Sequence, residues 1–298
     1  MDNVGLIGYG VMGKAIAKKL INSNYQVFVY DKNKSEIELA KKQGVFICSS
    51  PQDVSLKTKI ILLSLPNPEI VLDVVGNENH GILKSASSGT IIIDTSTVDP
   101  QTSKINYSKS SLKKVEYTDS PILGRPEFVG NWTLVIGRNS IINNNLKNIL
   151  LTFASNIVDA GAIGNGNILK ILNNLMFGAI NSITCEVLSL CKDQSIDLNL
   201  FFDTISKSGA ATTSKLFLEL GPKIIKNDFS TVFSINNLNK DIQLGLDLSK
   251  ESKSKITISE NVKKLTDLSI SNGFGDEDTS AIFKIYQKMN DKKSAWEI

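Results

Sequence analysis

Gly8, Gly10 and Gly13 stand in the series Gly8-Tyr9-Gly10-Val11-Met12-Gly13. Glycines at this spacing can bring main chain against a diphosphate. The first permits a tight turn, the second lets the backbone approach the phosphates, and the third lets the next helix pack closely. The diphosphate then meets the N–H groups and the positive dipole end of that helix. The strand-like run Val4-Gly5-Leu6-Ile7 precedes the glycines and the helix-like run Lys14 to Leu20 follows, which is the context the motif requires. A glycine-rich turn that binds nothing is the competing reading. Asp31 weighs against it. This residue closes a second strand-like run, Tyr25 to Tyr30, about 20 residues after the glycines, where a carboxylate accepts hydrogen bonds from an adenine-ribose 2′-OH and repels a 2′-phosphate. NAD is therefore favoured. Lys32 and Lys34 keep NADP open, because either can reach a phosphate.

A second constellation lies between Gly166 and Asn174, in the run Gly166-Asn167-Ile168-Leu169-Lys170-Ile171-Leu172-Asn173-Asn174. On a helix, Lys170 and Asn174 are neighbours one turn apart. The apolar residues Ile168, Leu169, Ile171, Leu172, Leu175 and Met176 surround them, so the helix is expected to be largely buried. A lysine in such surroundings has a depressed pKa and can carry a proton near neutral pH. The alternative is a lysine snorkelling at the helix edge, with asparagines capping their neighbours.

The elements that would hold these groups follow from apolar patterning. Ile60 to Leu65, stopped by Pro66, and Thr90 to Asp94 are continuous apolar runs, as expected of parallel strands buried on both faces. Val45–Ile47, Val115–Asp119, Trp132–Ile136 and Ile157–Asp159 read as further strands. A helix over Ser35–Gln43 ends at Gly44. Alternating β and α elements predict a doubly wound sheet, in which ligands bind outside the carboxyl ends of the strands. The strand ends Leu65-Pro66, Asp94 to Pro100 and Asp119 to Arg125 are therefore of interest. Ser96 and Thr97 offer hydroxyls for a nicotinamide ribose or carboxamide. Their alternative role, capping the next helix, suits Asp99 before Pro100 better. After Gly161 the pattern turns helical, with one long helix from Asn167 to about Lys192 and polar breaks at Ser208-Gly209, Gly221-Pro222 and Gly273 to Gly275. The expected fold is thus α/β: a Rossmann domain over residues 1–160 and an all-helical domain over residues 161–298.

Composition narrows the function classes. The chain has 298 residues and a net charge of +3, too small an excess, spread too evenly, to suggest nucleic acid. Three cysteines, Cys48, Cys185 and Cys191, form no metal-ligand spacing and suggest reduced thiols in the cytoplasm. The first strand begins almost at Met1, so no signal peptide is expected, and the apolar runs look too short for a bilayer. His80, the single histidine, falls in a polar loop without triad partners. The tail 290–298 is polar and is expected to be loose.

Taken together, the glycine loop, the Asp-x-Ser-Thr-x-x-Pro series of Asp94 to Pro100 and the G-x-x-x-K-x-x-N-N series of Gly166 to Asn174 resemble the β-hydroxyacid dehydrogenase family. This group includes 3-hydroxyisobutyrate dehydrogenase, tartronate semialdehyde reductase and, more distantly, 6-phosphogluconate dehydrogenase. Lys240-Asp241, following Phe233, resembles the family's late Lys-Asp pair. The resemblance spans nearly the whole chain in order. It implies homodimers or homotetramers and reversible hydride transfer between NAD(P) and a small hydroxy acid or its semialdehyde. It makes Lys170 the general acid/base, Asn174 and Asn173 substrate contacts, Lys240 a residue near cofactor and substrate, and Leu65, Pro66, Ser96 and Thr97 cofactor contacts. One segment departs from the family. Its substrate loop reads D-A-P-V-S-G-G, with the serine holding a carboxylate. Here Ile122-Leu123-Gly124-Arg125 replaces the hydroxyl with an apolar side chain and adds a guanidinium. That bears on the substrate more than on the reaction. Two rivals remain: a reductase of another carbonyl or an imine, and a non-catalytic NAD(P) sensor. Lys170 argues against the imine branch, since imine reductases commonly replace this lysine, and Lys170 with Asn174 argues against the sensor.

Overall fold

The computed structural model describes residues 3–138 and 143–291; most of the polar tail lies outside them. The chain divides into two compact units, residues 1–170 and 171–298.

The first unit alternates strand and helix: β1 (Asn3–Ile7), α1 (Val11–Asn22), β2 (Gln26–Tyr30), α2 (Lys34–Lys42), β3 (Phe46–Ile47), α3 (Pro51–Lys57), β4 (Ile60–Leu63), α4 (Pro68–Gly76), β5 (Ile91–Asp94), α5 (Pro100–Leu112), β6 (Glu116–Asp119), β7 (Ile122–Leu123), β8 (Trp132–Gly137), α6 (Asn144–Leu150) and β9 (Ala154–Gly161). Strands β3-β2-β1-β4-β5-β6 run parallel in that order. This is the doubly wound arrangement, and its order reverses between β1 and β4. Antiparallel β8 continues the sheet, with β7 and β9 paired to it.

Alternate residues of the central strands feed opposite faces. Val4, Leu6, Leu62 and Ile93 pack with Ile16 and Leu20 of α1. Ile7, Ile61, Leu63 and Ile92 pack with Val71 and Val75 of α4. Burial on both faces explains why these strands read as unbroken apolar runs. Two elements differ from the sequence pattern. β7 was not anticipated, and β9 is longer than Ile157–Asp159. Pairing with β8 carries β9 through polar residues that face outward.

The second unit holds most of α7 (Asn165–Asp193), followed by α8 (Leu198–Lys207), α9 (Lys215–Ile225), α10 (Ile235–Glu251), α11 (Thr257–Ser271) and α12 (Ile282–Asp291). Its core gathers Leu188, Leu220, Ile224, Leu238, Ile242, Val262 and Phe283. Gly221-Pro222 is not a break. Pro222 sits in the last turn of α9, where a missing N–H removes a single helix bond. Gly221 is held against the Phe202 ring, with no room for a Cβ.

α7 also corrects an expectation. It is not buried all round: Leu169, Leu172, Met176, Ile183 and Leu190 are 44–67% exposed. Apolar residues on every side cannot distinguish a face covered by the chain itself from one left open. By length and composition α7 could cross a membrane, but half of its most apolar window is buried inside the fold, as in a core helix.

Candidate active site

The glycine loop joins β1 to α1 at the reversal point of the sheet. Gly8 has φ +97°, and a Cβ there would collide with the Ser64 carbonyl just beyond β4; a Cβ on Gly13 would collide with the Gly8 carbonyl. The fold itself therefore requires both glycines. Gly10 is different. Its φ of −69° suits any residue, and a Cβ would meet nothing within 4 Å. The open space lies at the start of α1, which has no side-chain cap and no acidic residue in its first turn. Helices α2 to α6 are each capped by a side chain, from Asn33, Ser50, Asn67, Asp99 and Asn143. An uncapped N-terminus beside a glycine the fold does not need fits a dinucleotide diphosphate.

Within the loop, Val11 is exposed and Met12 packs partly against the core. The Tyr9 ring is buried, and its hydroxyl donates to Gln43 Oε1 at 2.6 Å. The Tyr9 amide donates to Asp31 Oδ2 at 2.6 Å, and the Asn33 amide donates to Asp31 Oδ1 at 2.7 Å. The carboxylate is thus pinned at the end of β2, and each oxygen keeps a second lone pair for a ribose hydroxyl. Lys32 is exposed beside it.

At the end of β5, Asp94 is fully buried. Its Oδ1 accepts from the Ser96 amide at 2.9 Å and its Oδ2 from the Tyr117 hydroxyl at 2.7 Å. Burial pushes the Asp94 pKa up to about 6 against these stabilising bonds. Ser96 Oγ in turn accepts from the Leu65 amide at 2.9 Å. This bond joins two of the predicted cofactor contacts, Leu65 and Ser96; Pro66 and half-buried Thr97 directly follow them in the chain. Asp99 caps α5 as expected.

β6 ends at Asp119, whose carboxylate is buried. Oδ1 accepts from the Gly164 amide at 2.8 Å and Oδ2 from the Asn167 amide at 2.9 Å. Asp119 therefore anchors the start of α7, a role that sequence spacing did not reveal. Burial raises its pKa. Further along, Leu123 is half-buried in β7, and Gly124 at φ +155° lies against the Trp132 ring with no room for a Cβ. Trp132 Nε1 donates to the Arg125 carbonyl at 2.7 Å. The Arg125 side chain is only 17% exposed and pairs with Glu127 at 3.3 Å, so it does not simply point to solvent.

Lys170 lies half-buried in α7, one turn before Asn174. In the second unit, Asn173 Nδ2 donates to Asn174 Oδ1 at 3.0 Å, and Asn174 Nδ2 donates to buried Asp241 Oδ2 at 2.6 Å. Asp241 Oδ1 pairs with Lys240 at 2.9 Å. Asn174 and Lys240 therefore meet through one carboxylate, and Asn173 joins them through Asn174. That carboxylate stood in the Lys-Asp pair, but its link to Asn174 spans 67 positions and no local pattern carries it. Among the described residues, no cluster of His, Cys, Asp or Glu could hold a metal.

Comparison with known proteins agrees with this layout. Residues 3–162 match the family model described as the NAD binding domain of 6-phosphogluconate dehydrogenase. Residues 164–286 match the one described as NAD-binding of NADP-dependent 3-hydroxyisobutyrate dehydrogenase. The chain is 27% identical to 2-(hydroxymethyl)glutarate dehydrogenase of Eubacterium barkeri, over 96% of this chain and 95% of the relative. It is 28% identical to 3-sulfolactaldehyde reductase of Escherichia coli (strain K12), over 95% of each. In structure it is similar to 3-hydroxyisobutyrate dehydrogenase from Salmonella typhimurium, with a TM-score of 0.87, 20% identity, and coverage of 96% of this chain and 100% of that one. With a dinucleotide cradle in one unit, a lysine–asparagine helix, and family models covering both units, the chain belongs to the β-hydroxyacid dehydrogenase family of NAD(P)-dependent oxidoreductases.

Proposed function

We propose that this enzyme interconverts a small hydroxy acid and its semialdehyde, with Lys170 as the general acid/base. The observation that carries this reading is the placement of Lys170 one turn from Asn174 on α7, with the Asn174 amide fixed by Asp241. When bound, the nicotinamide supplies the hydride acceptor in oxidation and the donor in reduction. The chain's own residues do the rest. The first turn of α1 and Gly10 hold the diphosphate, and the Ser96–Thr97 rim supports the nicotinamide end. Neutral Lys170 accepts the hydroxyl proton as the C–H bond gives up its hydride, and returns that proton in reduction. Asn174, with one amide hydrogen committed to Asp241, keeps another donor for the substrate. Lys240, held beside it by Asp241, adds positive charge for a substrate carboxylate.

Asp31 supports NAD as the preferred cofactor, since a pinned carboxylate repels a 2′-phosphate. The Leu123-Gly124-Arg125 loop supports a substrate other than 3-hydroxyisobutyrate, and leaves another carbonyl compound as the second reading. Three unpaired, buried cysteines are in keeping with a reducing, cytoplasmic setting. The exposed apolar residues of α7 support a homo-oligomer.

Replacing Lys170 with Ala tests the central assignment. Turnover should fall by about two to four orders of magnitude while NAD binding survives. Near-normal turnover in the variant, followed at the nicotinamide absorbance band with a panel of hydroxy acids, would remove Lys170 from the mechanism. A silent wild-type panel alongside tight NAD binding would favour the sensor.

A further inference from the structure

Asn167 carries no role in the reading above, yet three separate segments meet on it. The side chain is fully buried. Its Oδ1 accepts from the Val98 amide at 3.1 Å, and its Nδ2 donates to Ser103 Oγ at 3.2 Å. Its own amide donates to Asp119 Oδ2 at 2.9 Å. Next to it, Gly166 lies so close to the Val135 carbonyl and the Asp119 carboxylate that a Cβ would collide with both. The first turn of α7 is thus seated on the ends of β6 and β8, and Asn167 ties it sideways to the turn after β5. All of these contacts lie within the first unit.

The sequence distances give this side chain its leverage. Val98 directly follows the Ser96–Thr97 rim, and Lys170 stands three positions after Asn167, on a neighbouring site of the same helix surface. Val98 and Asn167 are 69 positions apart, so local chain stiffness cannot fix their separation. The Asn167 amide, with its two hydrogen-bonding ends, ties the two segments directly, beside the Asp119 anchor.

We propose that Asn167 is a positioning residue, setting the distance between the Ser96–Thr97 rim and the Lys170 amine. The proposal rests on the reading of Lys170 as the acid/base. A displacement of about 1 Å between reacting groups costs on the order of a hundredfold in rate. Loss of the bridge should therefore lower kcat through Lys170 in a chain that still folds.

The test is a double-mutant cycle. Wild type, Asn167→Ala, Lys170→Ala and the double variant are compared. The substrate is whichever of 3-hydroxyisobutyrate and 2-(hydroxymethyl)glutarate the wild type oxidises faster with NAD. Thermal unfolding confirms that each variant is folded. Asn167→Ala should lower kcat by about tenfold to a hundredfold. In the Lys170→Ala background the same change should cost less than about twofold, because the group it positions is gone. If Asn167→Ala does not fold, Asn167→Ser replaces it; its short hydroxyl cannot reach both partners and suits the first turn of a helix. Equal fold-losses in both backgrounds would overturn the proposal and leave Lys170 in place. Wild-type kcat in the position-167 variant would overturn it as well. Undiminished turnover in Lys170→Ala would overturn the acid/base reading, and this inference with it.

Discussion

At the scale of single residues, the glycines, Asp31, Lys170 and Asn174 stand out in the sequence as candidates because each belongs to a short motif whose spacing follows from a turn or one helical repeat. What stayed hidden was long-range. Asp119 and Asn167 act through bonds to residues 45 to 69 positions away, and no local pattern encodes such pairs. Nor could the motif show that the Tyr9 ring turns inward while its amide holds Asp31. That bond sharpens the expectation for Asp31. Its carboxylate cannot rotate without giving up two backbone hydrogen bonds, which underlies the proposed discrimination against a 2′-phosphate. Asp31→Asn keeps an acceptor but removes the charge. The ratio of kcat/KM with NADP to that with NAD should rise in this variant. A wild type that already prefers NADP would show that Lys32 and Lys34 outweigh the carboxylate.

Among the elements, the buried parallel strands and the long helix were the most readable, since their burial leaves unbroken apolar runs. β7, two residues long, has too little sequence for any pattern, and α9 runs on through Pro222 because packing outweighs one lost bond. The Leu123-Gly124-Arg125 segment, at and just after β7, is the proposed determinant of substrate choice. Leu123 stands where the family places a serine, and a substrate carboxylate oxygen left unpaired there loses about 1–3 kcal/mol. Arg125, partly buried and paired with Glu127, can grip only a group displaced from that position. Poor oxidation of 3-hydroxyisobutyrate is therefore expected, with Leu123→Ser improving it and Arg125→Ala weakening turnover of the preferred substrate. Efficient wild-type oxidation of 3-hydroxyisobutyrate, unchanged in both variants, would remove the loop from specificity.

The β5 end makes a separate expectation about pH. Asp94 is raised from 3.8 to about 6 by burial, so folding favours its protonated form. Below about pH 4 both folded and unfolded chains hold the proton, and the contribution is complete. Across pH 4 to 6 the unfolded chain releases it first, and on the order of 3 kcal/mol is lost. Asp94→Asn cannot titrate. The melting temperature of wild type relative to this variant should fall as pH rises from 4 to 7. A difference that stays constant over that range would place the Asp94 pKa near its ordinary value.

For the whole molecule, the change from alternating strands and helices to helices alone was plain in the sequence, and both kinds of unit are present. Its surface was not plain. Leu169, Met176, Ile183 and Leu190 recur every seven residues along α7, and all are exposed. We propose that a second copy of the chain covers this exposed apolar stripe. Met176→Glu combined with Ile183→Glu should shift the mass measured by light scattering toward the 32.5 kDa of one chain. An unchanged mass would place any self-association elsewhere.

α7 is also a single helix of 29 residues, with Lys170 and Asn174 in its first turns and the exposed apolar residues spaced along it. On the proposed self-association, a partner covering the stripe would also brace the helix that carries the Lys170 amine. Specific activity should therefore depend on enzyme concentration. In a dilution series it should decline over the range in which light scattering reports dissociation, and in the double glutamate variant it should be low and flat throughout.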